Sequence, residues 1–150
     1  MSDMSTMIPV PEYLIEVHGN TALEQVEHYA RACISDPRHN NKKHIWACQR
    51  FLDDVKRSRD ETCSFYWDEE EAQNIIAWFS YLRHSKGVLA GKPIILTPWQ
   101  RFRLCQLYGW RRKADKRRRF RKSFTQVARK NAIDLASGAE MFQIIIGQNR

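Results

Sequence analysis

Between residues 21 and 84 the apolar side chains recur three times at helical spacing, and that period commits each segment to burying one stripe against a neighbour. Thr21-x-x-Glu24 has the form of a capping box. Leu23, Val26, Ala30, Cys33 and Ile34 follow it until Asp36-Pro37 ends the run, which predicts a helix over about 21–35. After the polar turn Arg38–Lys43, the period Ile45, Cys48, Phe51, Leu52 and Val55 predicts a second helix over about 43–58. A third, over about 68–84, opens on Asp68 and Glu71 and continues through Ala72, Ile75, Ile76, Phe79 and Leu82.

Beyond that point the signals change. Gly87 and Gly91 bracket a turn, and Lys92-Pro93-Ile94-Ile95-Leu96 is short and β-branched, which predicts a strand with its proline at a sheet edge. Thr97-Pro98 then supplies an N-cap and a proline at the first helical position for a fourth helix reaching about Tyr108. Trp99, Phe102, Leu104, Cys105 and Tyr108 wrap widely around that helix, so more than one of its faces should be buried. The run Arg111–Arg121 reads as a basic turn feeding a strand through Ser123–Val127, and residues 133–146 fit a helix or a strand, with Gly138 leaving both open. The expected fold is mainly α with a small β component (α+β), four or five helices with two or three short strands. Residues 1–20 read as a flexible arm and 21–150 as a single domain.

At 150 residues one domain can bury roughly 68–70% of its unfolded surface without staples, and 17 aromatic side chains exclude disorder throughout. No apolar run approaches the ~20 residues of a membrane span and no secretory h-region follows Met1, so the expectation is a soluble protein of the cell interior. The net charge of +8 is concentrated. Residues 1–40 hold two basic and six acidic side chains, whereas 101–130 hold 13 basic ones against Asp115 alone. Such a block fits nucleic acid, through release of counterions from phosphates, and equally fits a solvated face or an acidic protein partner.

Cys33, Cys48, Cys63 and Cys105 lack C-x-x-C spacing and sit among apolar residues, as buried reduced thiols do, rather than in a zinc or disulfide pattern. His39 and His44, five apart in a polar turn with no evident third ligand, read as surface-loop residues. The acids Asp68–Glu71 suit the positive end of a helix dipole better than a metal. Trp110 and Phe120, interleaved with the basic block, either stack on bases or pack beneath arginine stems.

Several words occur in a telling order: His28-Tyr29-Ala30-Arg31, Ala47–Asp54, Asp68–Ala72, Lys86-Gly87, Ala90–Pro93, Pro98-Trp99-Gln100-x-Phe102, Tyr108-Gly109-Trp110 and Ala128-Arg129-Lys130-Asn131. Over roughly residues 23–131 the chain resembles the start of a tailed-phage terminase large subunit. In that family the large subunit pumps DNA into an empty capsid with an N-terminal P-loop ATPase and cuts it with a C-terminal nuclease, while a small subunit recruits it to the packaging site. The resemblance implies the helical lead-in of a P-loop NTPase domain. Gln100 matches the family's adenine-contacting glutamine, and Arg129 and Lys130 match the approach to its phosphate loop.

There the likeness breaks. The family continues with Gly-Lys-Ser/Thr, whose backbone N–H groups, ammonium and hydroxyl hold the phosphates and Mg²⁺, whereas Ala132-Ile133-Asp134 follows here. The sequence also reaches Arg150 before a second acidic motif, an arginine finger or a nuclease cluster, so no catalytic residue, metal site or cofactor is expected.

The resulting expectation is an ATPase-dead terminase-like interaction protein of a bacterial host's cytoplasm, with a phage satellite, a prophage or a host defence locus as a natural home. It would bind the terminase small subunit, the large subunit, the portal or packaging-site DNA, and so block or redirect packaging. Its partner anchors would be Trp78, Trp99 and Trp110, and its DNA- or partner-binding cations Arg111, Arg112, Lys113, Lys116, Arg117, Arg118, Arg119, Arg121 and Lys122. Two other readings stand beside it: an N-terminal piece of an ordinary packaging ATPase, and a plain basic DNA-binding module.

Overall fold

The structure, a computed structural model, describes residues 9–85 and 87–124. Its elements start where the capping chemistry places them. Helix α1 (Ala22–Ser35) opens on the reciprocal box: Thr21 Oγ1 accepts from the Glu24 N–H at 3.1 Å, and the Glu24 carboxylate accepts from the Thr21 N–H at 3.3 Å. Helix α2 (Lys42–Ser58) follows Asn41, whose side chain accepts from the His44 N–H at 2.9 Å. Strand β1 (Phe65–Trp67) leads into α3 (Glu69–Tyr81), capped by Asp68. Helix α4 (Pro98–Tyr108) runs into strand β2 (Trp110–Arg112), which pairs antiparallel with β1 in the register Phe65 to Arg112 and Trp67 to Trp110. The mainly α fold with a small β component is therefore as the sequence predicts.

The core has two parts that meet at α4. Phe102 and Cys105 on one side join α1, α2 and the two strands, while Leu104 and Tyr108 on the other join Ile75 and Phe79 of α3. Both faces of α4 are buried, as its apolar distribution requires. At the centre Phe51 makes edge-to-face contacts with Trp67, Phe102 and Trp110, at ring separations of 5.8, 5.7 and 6.0 Å. Gly109 lets the chain turn from α4 into β2. A Cβ there would lie 2.7 Å from the Trp67 ring and 2.8 Å from the Cys105 carbonyl, closer than any side chain tolerates.

Two local expectations near the end of α3 are corrected. Helix α3 ends at Tyr81, three residues early, because Leu82 turns extended and the backbone beyond it pairs with the returning chain: Ile94 N–H donates to Leu82 O and His84 N–H to Lys92 O. The segment Lys92–Leu96 is not a strand but makes one bridge, Arg83 to Pro93. Proline has no N–H with which to extend a ladder. The turn between Gly87 and Gly91 is present, both glycines having positive φ, at 78° and 80°.

The basic run is also arranged differently. Arg111 and Arg112 lie inside β2, Lys113–Lys116 turn, and Arg118 bridges back to Arg111. Ser123 and Phe124 form no strand, and residues 125–127 and 133–146 lie outside the described residues. Strand β1 was unforeseen. Within the described part of the segment read as a flexible arm, Glu12–Leu14 form a 3-10 turn, and Tyr13 packs on the core, donates to Asp36 at 3.0 Å and accepts from Asn40 at 2.7 Å.

The acids at the start of α3 do more than meet their own helix dipole. The Glu69 carboxylate accepts from the Ala22 and Leu23 N–H groups at the N-terminus of α1, from Trp67 Nε1 at 2.9 Å and from Gln73 Nε2 at 2.8 Å. Burial alone would raise this carboxyl. The hydrogen bonds from Trp67, Gln73 and the two backbone N–H groups outweigh it and hold the group below its ordinary 4.5. A depressed carboxyl contributes stability that is complete above its unfolded value and disappears as pH falls through the folded one. Acid titration of folding, followed by circular dichroism, should therefore show a loss of stability beginning below about pH 4.5. In Glu69→Gln that part of the acid limb should flatten, at a cost of about 1–2 kcal/mol at neutral pH, because the amide keeps one acceptor oxygen and leaves one capping N–H and one side-chain donor unmet.

Candidate interaction surface

The basic block divides by the work its side chains do. Asp54, on the buried side of α2 and 3% exposed, is a carboxylate that the interior tolerates only if paired. Arg119 supplies the pair, donating from both terminal nitrogens at 2.8 and 3.3 Å, with Arg57 adding a contact at 3.3 Å. The same guanidinium lies 3.6 Å from the centre of the Phe65 ring. Arg111 pairs with Glu71 at 2.6 Å, and Arg112 with Asp115. Lys113 Nζ donates to the Asp60 and Glu61 carbonyls closing the turn after α2, while Lys116 and Arg118 rest over the rings of Tyr66 and Tyr108.

Arg117, Arg121 and Lys122 are exposed, and among the described residues their side chains make no ion pair or hydrogen bond. Of the nine cations expected to form one surface, these three are free for an outside phosphate or carboxylate. Phe120 packs partly buried against the core with the Arg119 and Arg50 guanidinium groups above it, which settles its role within the fold as packing.

The tryptophans divide as well. Trp110 is wholly buried, with Phe65 and Trp67 edge-on at 5.4 and 5.2 Å, so it is a core residue and cannot anchor a partner. Trp78 and Trp99 are half-buried, each packed against one part of the core with some ring surface in solvent. The apolar side chains that stand out from the surface were not singled out from the sequence: Trp46, Tyr81, Val88 and Ile95, the last 81% exposed. Tyr81 falls off the Ile75–Phe79 stripe of α3, so the helical period itself carried that signal.

Gln100 is 6% exposed, and its Oε1 accepts from the Thr97 N–H at 2.9 Å, closing the start of α4. It also lines a mostly apolar cavity of about 420 Å³ with Phe79, Leu89, Ile94, Ile95 and Leu96. The glutamine thus has a capping task in the fold, and Nε2 is the amide group left for any outside molecule. Arg129 and Lys130, the other two residues expected around a nucleotide, lie outside the described residues.

His44 is a correction. It sits in the first turn of α2 facing inward, its Nε2 2.9 Å from the Tyr29 hydroxyl and 3.7 Å from both Cys33 Sγ and Cys48 Sγ. His44 lies within the helix that the apolar period predicts, on the face that meets α1, and is not a surface-loop residue. The thiols of Cys33, Cys48 and Cys105 are buried as expected, and Cys63 is half-buried. Hydrogen bonding between Cys48 and Cys33 holds the Cys33 thiol well below its ordinary range and pushes Cys48 up.

Among the described residues no helix is long and apolar enough to cross a membrane. The division of the cations makes an outcome measurable. Arg119→Glu, which sets a second carboxylate against Asp54, should lower stability by on the order of 3 kcal/mol or more in urea denaturation. Reversing Arg117, Arg121 and Lys122 together to Glu should leave the midpoint within about 0.5 kcal/mol of the parent.

A family model described as the terminase large subunit, ATPase domain, matches residues 98–147. No curated protein and no solved structure matched the chain. The matched stretch begins at the first residue of α4 and runs through β2 and the basic block, whereas the words quoted from residues 23–97 lie before it. By that match residues 98–147, a third of the chain, are similar to the ATPase domain of the terminase large subunit.

Proposed function

We propose that this chain is an ATPase-dead relative of the packaging motor, which binds a component of the phage packaging machinery and blocks or redirects packaging. The observation that carries this reading is the sequence Ala132-Ile133-Asp134, inside the matched residues, where the family's phosphate loop has Gly-Lys-Ser/Thr. A Cβ replaces the glycine that lets backbone N–H groups reach phosphate, a branched apolar side chain replaces the lysine, and a carboxylate would repel the polyphosphate. The capping task of Gln100 agrees with it, since this residue has a reason to be glutamine without any nucleotide.

The partner is a packaging protein, the small subunit or large subunit of a terminase or the portal. Trp78 and Trp99 supply half-buried aromatic anchors of the kind that dominate interface energetics. A second reading, direct contact with packaging-site DNA, is favoured by one observation: the three exposed cations Arg117, Arg121 and Lys122, all on the chain beyond the Lys113–Lys116 turn.

The purified chain should hydrolyse no ATP above background with Mg²⁺ and DNA present; DNA-stimulated hydrolysis that chelation abolishes would end the reading. Expression in a host should lower the yield of a packaging-competent tailed phage while its DNA replication continues, and the chain should co-purify with a packaging protein. Normal titres across several phages, from cells that accumulate folded protein, would refute interference. Trp78→Ala and Trp99→Ala should each weaken partner binding by about 2 kcal/mol with the helical spectrum unchanged. If DNA is touched, three neutralised phosphates set a log–log salt slope of about −2.7, and the Arg117, Arg121 and Lys122 reversal should abolish retention.

A further inference from the structure

Where α1 and α2 meet, Cys33 from the last turns of α1 and His44 and Cys48 from the start of α2 turn their donor atoms toward one another, all within 4.8 Å. His44 and Cys48 are four apart on one helix, so a single face presents both. Cys33 and Cys48 are wholly buried and His44 is half-buried. We propose that Cys33, His44 and Cys48 bind a zinc ion that ties α1 to α2.

The dimensions suit that ion. Zinc takes thiolate sulfur at about 2.3 Å and imidazole nitrogen at about 2.0–2.1 Å in a tetrahedron, which sets neighbouring S and N donors about 3.5 Å apart. Both Sγ to Nε2 separations here are 3.7 Å, so the ion needs only a small adjustment of side chains. The charge suits it as well. Two thiolates balance the dication and neutral imidazole adds none, so the complex carries no net charge into the core. Sulfur and imidazole donors select zinc over magnesium or calcium, which demand oxygen. The Tyr29 hydroxyl, 2.9 Å from Nε2, gives up that contact when the nitrogen binds the metal and becomes a hydrogen-bond donor for a ligand sulfur or a water on the ion.

The site escaped the spacing rules for a physical reason. Fifteen positions separate Cys33 from Cys48, and the α1–α2 packing alone brings them together. No other part of the packaging reading depends on it, and its test is separate.

The full chain, purified under reductant, should carry one equivalent of zinc by elemental mass spectrometry. Cys33→Ser and Cys48→Ser should each reduce zinc affinity by more than about 100-fold, since losing even an outer-shell partner costs about 10–100-fold. Cys63→Ser, which removes a thiol outside the cluster, should retain the full equivalent. If the ligand variants fail to fold, the unaltered chain still decides: cobalt in place of zinc should give intense sulfur-to-metal charge transfer and tetrahedral d–d bands. A folded, reduced chain that binds no zinc, or cobalt with an octahedral aqueous spectrum, overturns the proposal. So does an unchanged zinc affinity in both folded serine variants.

Discussion

A buried carboxylate governs much of this structure. Asp54 faces inward from α2, and an interior cannot hold that charge without a counterion in hydrogen-bond contact. Arg57 on the same helix contacts one oxygen, and the counterion that holds both arrives from 65 residues further along the chain, as Arg119. To reach Asp54 the chain must leave α4, run along β1 as β2, turn at Lys113–Lys116 and double back, and Arg119 N–H donates to Trp110 O at 2.8 Å as it does so. The pairing therefore closes a lid of arginine and phenylalanine over the aromatic cluster of Phe51, Phe65, Trp67 and Trp110. It also divides a uniform-looking basic run into cations that build the fold and cations left for solvent.

The residues that carry the likeness to the packaging ATPase prove to be structural at several points. Gln100 closes the first turn of α4, Gly109 makes room for the Trp67 ring, and Trp110 fills the centre of the core. Each can be required by folding alone, whatever happens at the phosphate loop. Their presence is therefore explained by packing and capping within the described residues.

Helix α4 is the element around which the two halves of the core are organised. Its apolar residues surround it, and α1 and α3 pack on different sides of it. Cys105, enclosed between them, has its thiol pushed up to about 12, chiefly by burial. The half-buried Trp99 in its first turn packs on one part of the core, and the cavity beside Gln100 borders Phe79 and Leu96 of the other.

The helices were legible because their information is local. Thr21 with Glu24, Asp68 with Glu71 and Thr97 before Pro98 name the starts, and the apolar period names the buried face, so α1, α2 and α4 fall within a residue of their expected bounds. The errors arose where distant segments compete with local preference. Helix α3 stops early because the chain beyond Tyr81 pairs with residues 92–94, and β1 exists because β2 lies beside it. The cation surface was legible as a sum of charge but not as a site, since composition cannot distinguish Arg119, bound to a carboxylate on another element, from Arg117, bound to none. The Cys33, His44 and Cys48 cluster and the burial of Trp110 belong to the same class. The sequence by itself determined the helical elements, their caps and the sign of the charge, all properties of neighbours along the chain; which charges, thiols and rings are free was decided by tertiary packing, because only packing sets who meets whom.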